Sequence, residues 1–211
     1  MLREQPGALT AFQVQVTRLF FTLSASEGFL LAGGAALVAQ HLTERPTRDL
    51  DLFTRPPGDV VAVRDALENA LAQQGWTVER IRDTSTFCRL VVHGPEDLLV
   101  DLAVDSPPQQ PASLSYIGPT FAPEELAGRK LLALFDRAEA RDFTDVFALA
   151  QRYGKERLLQ RAGELDAGFD HHVLAGQFET LARFDDAELP ADDCAGTRSF
   201  FAGWSDELTN P

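Results

Sequence analysis

The stretch of sequence that decides the fold spans residues 29–53 and reads FLLAGGAALVAQHLTERPTRDLDLF. The apolar run 29–32 predicts a short buried strand, and the Gly-Gly pair after it ends that strand ahead of a helix predicted over residues 35–42. Pro46 ends this helix, because the residue before a proline is disfavoured in helical geometry. Residues 49–53 then alternate polar and apolar side chains, which predicts a second strand.

Two aspartates in this second strand are the first candidate functional residues. Asp49 and Asp51 are two residues apart, so their side chains project from the same face, with Cα atoms about 6.5–7 Å apart. Like charges on one face repel each other, and a divalent cation would neutralise both. Carboxylate oxygens are the ligands that Mg²⁺ prefers. The pair therefore predicts a magnesium site.

Asp101 is the best candidate for a third metal ligand. Two-metal phosphoryl transfer holds ions about 3.5–4 Å apart, and this predicts a further carboxylate nearby. Asp101 lies within an otherwise apolar predicted strand, residues 98–104, where an unpaired charge is costly. Asp105 has the same strand parity but lies at the strand's end, before Ser-Pro-Pro. We therefore expect Asp101 to be the ligand.

Gly33, Gly34 and Arg48 are candidate nucleotide-binding residues. Glycine between a strand and a helix lets the backbone approach a ligand closely, and a helix N-terminus favours anions. A nucleotide phosphate suits that position, although a simple turn is the alternative explanation for the glycines. Arg48 adjoins the predicted metal-binding strand and could assist a phosphate, pair with Asp49 or remain solvated.

The remaining pattern predicts an α+β fold, a mixed β-sheet core with flanking helices followed by a C-terminal helical region. We expect the α/β core over 1–120, helices over 121–184 and an acidic tail over 185–211, and the pattern leaves open whether the halves are separate domains. Helices are predicted at 8–26, 60–74, 124–139, 141–153, 155–165 and 169–184, and strands at 76–81, 86–93, 98–104 and 114–117. The first three of these strands have the spacing of a meander.

Composition limits the possible partners and compartment. The 211 residues are 45% hydrophobic and contain two cysteines, so a disulfide framework is not expected and a reducing cytoplasm is. The sequence lacks the run of about 20 apolar residues that a membrane helix requires. The net charge of −13 argues against a nucleic-acid partner, but residues 129–161 carry eight basic and five acidic side chains. A local basic surface is therefore possible.

Two blocks of this sequence resemble a known family. GGAAL at 33–37 followed by RPTRDLDLF at 45–53 resembles the first motif of the AbiEii/AbiGii toxin family, which includes the mycobacterial MenT-type toxins. That family belongs to the DNA polymerase β-like nucleotidyltransferase superfamily. Lys130 followed by RDFTDV at 141–146 resembles a second family block, and the resemblance spans about residues 29–150.

The resemblance implies a nucleotidyltransferase that moves a nucleoside monophosphate from an NTP to the 3′ end of tRNA, as a toxin with a separately encoded antitoxin. It implies that Asp49, Asp51, Lys130 and Asp145 act in catalysis, with Lys130 on a phosphate and Asp145 or Asp142 completing the site. Alternative acceptors are a small molecule, as in aminoglycoside nucleotidylyltransferases, or a protein side chain. An inactive fold that serves as a binding module is a further alternative.

Asp142 and Asp145 are three residues apart in a predicted helix, so they are neighbours on its surface. Together with Lys130 they fit a nucleotide site. The alternative is a surface salt-bridge network that also includes Arg137 and Arg141.

Thr47 is a candidate regulatory residue. It has the same parity as Asp49 and Asp51, so its hydroxyl is expected near the metal ions. Phosphorylation would place a dianion against the carboxylates and prevent metal binding. The alternative is a structural hydroxyl that caps a turn.

Overall fold

The computed structural model describes residues 9–210. The predicted core over 1–120, the helix predicted over 8–26 and the tail predicted over 185–211 each extend outside the described residues. The chain forms two compact units, divided in the sequence between Pro123 and Glu124. None of the described helices is both long enough and apolar enough to cross a membrane.

The described part of the first unit contains a seven-stranded mixed sheet and three complete α-helices. The helices are α1 (Ala11–Thr22), α2 (Gly33–Ala39) and α3 (Val60–Gln73), with a short 3₁₀ turn at Ser24–Ser26. The strands are β1 (Leu30–Ala32), β2 (Asp49–Thr54), β3 (Thr77–Asp83), β4 (Phe87–His93), β5 (Asp97–Val104), β6 (Ser113–Leu114) and β7 (Pro119–Thr120).

The strand order in the sheet is β3-β4-β5-β2-β1-β7-β6. The β2–β5 and β1–β7 pairs are parallel and the other pairs are antiparallel. The predicted α+β class is confirmed, and β3, β4 and β5 form the predicted meander. The sheet places β2 beside β5, although the 42 residues 55–96 lie between these strands in the sequence.

The two faces of this sheet differ in polarity. Leu50 and Leu52 of β2 are fully buried, as are Val100 and Leu102 of β5. Helix α3 packs against β3, β4 and β5 and contributes buried apolar side chains to the same core. Burial of each such side chain stabilises the fold by about 1.5–3 kcal/mol. Because side chains alternate along a strand, the residues between them project from the opposite face.

The second unit is helical. It contains α4 (Pro123–Arg137), whose first residue belongs to the first unit, α5 (Ala140–Tyr153), α6 (Lys155–Leu165), α7 (His171–Glu179) and α8 (Cys194–Thr209). The helix predicted over 169–184 is α7 followed by a 3₁₀ turn at Thr180–Arg183.

The segment predicted from its composition to be an acidic tail, residues 185–211, includes α8. The Asp193 side chain caps this helix by accepting a hydrogen bond from the Gly196 backbone N–H. Phe201 and Trp204 lie three residues apart and are both buried, and both rings contact Phe178 of α7. The acidic side chains occupy other positions of the segment, so its net charge does not prevent it from packing.

Candidate active site

Three carboxylates share one patch of the sheet in the first unit. In the parallel β2–β5 pair, Asp51 lies directly opposite Asp101, and neighbouring strands are about 4.8 Å apart. Asp49 and Asp51 are half-buried and alternate with the fully buried Leu50 and Leu52. The strand pairing therefore brings Asp49, Asp51 and Asp101 to the same face.

Arg89 of β4 is a cation in contact with this patch. It lies opposite Asp101 in the antiparallel β4–β5 pair. Its guanidinium binds the carboxylate with two hydrogen bonds, Nε to Oδ1 at 2.8 Å and Nη2 to Oδ2 at 2.6 Å. The hydrogen bonds to Asp101 raise the pKa of Arg89, and the charges of Asp101, Asp51 and Asp49 raise it further. All three carboxylates thus act on one guanidinium.

Arg89 is not among the site residues predicted from the sequence, although the spacing of the β4–β5 hairpin indicates its contact with Asp101. The β4–β5 hairpin turns at residues 94–96 and pairs His93 with Asp97. Because the antiparallel pairing continues residue by residue away from that turn, Arg89 lies beside Asp101. A basic side chain within an apolar strand, opposite an acidic one in the next strand, indicates an ion pair.

Gly33 and Gly34 lie against the same patch. Ala32 at the end of β1 pairs with Asp51, so Gly33 follows immediately beside the carboxylate. Gly33 has φ +58°, and a Cβ there would lie 1.7 Å from Asp51 Oδ2; a Cβ on Gly34 would lie 2.7 Å from Thr47 Oγ1. Glycine is therefore required at 33 both for its backbone conformation and for the space it leaves.

Replacing Gly33 by alanine is expected to destabilise the fold and to reduce activity together. Gly75→Ala is a matched control, because Gly75 also has positive φ (+79°) but has no atom within 4 Å of the added Cβ. We expect Gly75→Ala to cost only the backbone strain, about 1–2 kcal/mol, with activity retained. Gly33→Ala should cost more and also displace Asp51. Chemical denaturation measures the first effect, and the nucleotidyl transfer that the family resemblance implies measures the second. Equal behaviour of the two variants would contradict this prediction.

Thr47 contacts the patch, whereas Arg48 is exposed to solvent. The Thr47 hydroxyl donates to Asp49 Oδ1 at 2.8 Å, and the Thr47 side chain is buried. The Gln13 side chain of α1 donates to the Thr47 carbonyl at 2.9 Å. This hydrogen bond anchors the connection between α2 and β2. Arg48 is an exposed residue. The hydroxyl of Thr47, predicted from its parity to lie near the metal ions, contacts one of the predicted metal ligands.

A second cluster of predicted site residues lies in the helical unit. Lys130 of α4 places Nζ 3.3 Å from Asp142 Oδ1 and 3.1 Å from Asp145 Oδ2, both on α5. The two aspartates are completely buried, and Lys130 is 7% exposed. Arg137 also donates to Asp142, from Nε at 3.0 Å and from Nη2 at 3.2 Å.

This second cluster is electrostatically compensated. Burial by itself raises the pKa of Asp142, but the hydrogen bonds from Arg137 and the charge of Lys130 outweigh it and leave the pKa below its usual value. Arg141 contacts Glu139. The salt-bridge network considered from the sequence therefore exists as a largely buried group around Asp142, and not as an exposed helix face.

The carboxylate patch has the donor chemistry for a divalent ion. All three candidate ligands offer oxygen, which suits Mg²⁺, and the strand register holds Asp51 and Asp101 side by side. Among residues 9–210, however, no group of three acidic, histidine or cysteine side chains is arranged to hold a metal ion as it stands. Both oxygens of Asp101 face Arg89. The residues fit the ion in donor chemistry and strand register, while the Asp101 oxygens are engaged by the Arg89 guanidinium.

Solved structures of other proteins share the fold of this chain. The chain matches MenT4, a nucleotidyltransferase toxin from Mycobacterium tuberculosis H37Rv, with a TM-score of 0.63 and 19% identity over 95% of this chain and 82% of that one. It matches JHP933 from Helicobacter pylori with a TM-score of 0.61 and 19% identity over 95% of this chain and 93% of that one. The fold is that of a nucleotidyltransferase.

Family membership follows from the sequence match. Residues 18–207 match the model of the nucleotidyl transferase AbiEii toxin family, a type IV toxin–antitoxin system. The chain belongs to this family, so it is a nucleotidyltransferase toxin with a nucleotide substrate and an antitoxin partner. No curated protein matches the chain significantly in sequence.

Proposed function

We propose that this toxin is a magnesium-dependent enzyme of the cytoplasm that transfers a nucleoside monophosphate from an NTP to the 3′ end of tRNA. One observation carries the catalytic part of the proposal: Asp51 lies opposite Asp101 in the sheet, and Asp49 projects from the same face. Family membership supports the toxin role. A separately encoded antitoxin would complete the pair.

The reaction needs positioning and charge neutralisation more than covalent chemistry. The acceptor hydroxyl oxygen bonds to the α-phosphorus, the bond from that phosphorus to the bridging oxygen breaks, pyrophosphate leaves and the hydroxyl proton passes to solvent. Asp49, Asp51 and Asp101 would hold the ions. Bound divalent ions supply activation of the hydroxyl and neutralisation of the pyrophosphate charge. Gly33 and Gly34 would give a phosphate room to approach the backbone beside Asp51.

Lys130 and Arg48 are the proposed phosphate-binding side chains. An ammonium group carries three donors, and two of the Lys130 contacts go to Asp142 and Asp145. We propose that the remaining donor serves a nucleotide phosphate, with the two aspartates orienting the lysine. Arg48, exposed and next to Asp49 in the sequence, is proposed separately as a phosphate-binding cation of the carboxylate patch.

Net charge and family membership favour different acceptors. The net charge of −13 favours a small molecule or a protein side chain over RNA, since RNA binding depends on cationic contacts with phosphate. The basic balance of residues 129–161 and the toxin family favour tRNA. We propose tRNA and treat the other acceptors as outcomes of the test.

Label transfer tests both the reaction and the acceptor. The protein is incubated with each α-labelled NTP, Mg²⁺ and either total RNA, total protein or a set of aminoglycosides. We expect label at the 3′ end of tRNA, lost on addition of a chelator and lost in Asp49→Asn. Label in protein or aminoglycoside would change the acceptor, and absence of label from every fraction would favour an inactive binding module.

Placing a negative charge at Thr47 is expected to abolish activity. Thr47 is buried and donates its hydroxyl proton to Asp49, so a phosphate there would put a dianion in contact with a proposed metal ligand. We expect Thr47→Glu to lose at least about 100-fold in label transfer, and Thr47→Gln, which has the same size without the charge, to lose much less. Equal losses in the two variants would indicate that size, not charge, is responsible.

A further inference from the structure

Arg89 lies where the proposed metal ions need a carboxylate. Its planar guanidinium forms a two-pronged contact with both oxygens of Asp101. Such bidentate contacts are among the stronger hydrogen bonds in proteins. A metal ion approaching Asp101 from the side of this contact would have to displace the guanidinium.

The surroundings of Arg89 allow such a displacement. The Arg89 side chain is 43% exposed, whereas that of Asp101 is 10% exposed, so the arginine can move towards solvent while the aspartate stays in place. The guanidinium carbon of Arg89 also lies 5.8 Å from the centre of the Phe87 ring. Arg89 makes this cation–π contact in its present position, so the freedom to move comes from the exposure of its side chain.

Charge explains why a cation is held there at all. Asp49, Asp51 and Asp101 place three negative charges on one patch of the sheet, and Asp101 is buried. An uncompensated buried carboxylate is costly. Arg89 reduces that cost when no metal ion is bound.

We propose that Arg89 is a resident counter-cation that competes with the divalent metal for Asp101, and so lowers the metal affinity of the nucleotide-free protein. This inference rests on the proposed metal-binding role of the three aspartates. It makes Arg89 a positioning residue that acts through Asp101. Metal binding and release of Arg89 from Asp101 are then linked.

Metal binding to the nucleotide-free full-length protein tests this, with Mn²⁺ as the probe in calorimetry or electron paramagnetic resonance. We expect Arg89→Gln to bind Mn²⁺ about tenfold more tightly than the wild type, because the variant removes the charge-assisted hydrogen bonds that the ion must displace. Arg89→Lys, which keeps the charge without the fork, should fall between them. Unchanged or weaker binding in Arg89→Gln would overturn the inference.

Arg82→Gln is the matched control. Arg82 lies opposite Arg89 in the β3–β4 pair, and its guanidinium carbon lies 5.2 Å from the centre of the same Phe87 ring. Its replacement therefore removes the same charge from β3, which is one strand further from Asp101 than β4. We expect a change in Mn²⁺ affinity below about twofold, since exposed charges are screened. A tenfold effect in Arg82→Gln would show that general charge, and not competition for Asp101, sets the affinity, and would overturn the proposal.

Thermal unfolding gives a second readout that separates competition from a purely structural ion pair. Without metal, Arg89→Gln should be less stable than the wild type, and saturating Mn²⁺ should raise its Tm by more than it raises that of the wild type. A purely structural pair predicts the same Tm increase in both proteins, which would contradict the proposal.

Asp51→Asn distinguishes failure of this inference from failure of the proposed function. If the wild type binds Mn²⁺, Asp51→Asn does not, and Arg89→Gln binds no more tightly than the wild type, only the inference about Arg89 is wrong. If Mn²⁺ binding is absent from the wild type and from Arg89→Gln alike, the proposed metal site and the inference fall together.

Discussion

Asp51→Asn is expected to reduce nucleotide incorporation by at least about 1000-fold. Metal-ion stabilisation of charge is worth several kcal/mol, and each 1.36 kcal/mol is a factor of ten in rate. Asp51 is central to the patch, since it lies opposite Asp101 in β5 and next to Gly33. The amide has nearly the same shape as the carboxylate but carries no charge, so the loss would reflect metal and phosphate binding.

The fold itself should tolerate this change. Asp51 is one of three like charges on the patch, so its neutralisation removes repulsion and we expect an unfolding free energy within about 1 kcal/mol of the wild type. Asp105→Asn is the control, because Asp105 has the same parity as Asp101 but is placed beyond the end of β5. Single-turnover label transfer should separate the two variants, and retained activity in Asp51→Asn would refute the catalytic proposal.

Asp142→Asn is expected to destabilise the helical unit by about 3–5 kcal/mol, the usual cost of removing one partner from a buried ion pair. The Asp142 carboxylate is completely buried and accepts hydrogen bonds from Lys130, Arg137 and the Glu139 backbone N–H. The amide would leave Lys130 less compensated, with the contact to Asp145 still in place.

The destabilisation can be followed by fluorescence in one unit at a time. Trp76 lies in the first unit and Trp204 in the second, so urea unfolding of a Trp76→Phe background reports on the helical unit through Trp204. Asp186→Asn is the control, since Asp186 forms an ion pair with Arg198 while 74% exposed, and such pairs contribute about 0–1 kcal/mol. A similar loss in both variants would contradict the buried-pair explanation.

The effect of Asp142 should also depend on pH. Its pKa is lower in the folded protein than its usual value, so the unfolded chain binds a proton more readily. The stabilisation is therefore fully present above the unfolded pKa, about 3.9, and is lost as the pH falls through the lower folded value. The difference in stability between wild type and Asp142→Asn should be constant near neutral pH and shrink below about pH 4.

Strand β2 shows which parts of the site the local spacing of residues can predict. A spacing of two in a strand places Asp49 and Asp51 on one face whatever surrounds the strand, so that part of the site follows from the sequence. The Gly-Gly pair and the apolar residues around it similarly indicate the strand–helix boundary. The role of Gly33 in making room for Asp51 depends on the pairing of β1 with β2 and is visible only in the fold.

Arg89 and α8 show where local pattern is insufficient. Arg89 acquires its significance from Asp101 in the next strand, and the pattern of β4 by itself does not specify that pairing. In α8, the acidic composition of the segment obscures Phe201 and Trp204, which are buried at helical spacing. The net charge of a segment comes mainly from its exposed side chains, whereas its packing is decided by the apolar side chains that are buried against other residues.

The sequence alone specifies the α+β class, the Asp-x-Asp strand, the strand that carries the third carboxylate and the family resemblance. These features depend only on the order and spacing of residues along the chain. The tertiary structure alone decided that Asp51 lies opposite Asp101 and that Lys130 lies buried against Asp142 and Asp145. The physical reason is that contacts between distant segments depend on strand register and helix packing, which local spacing does not specify.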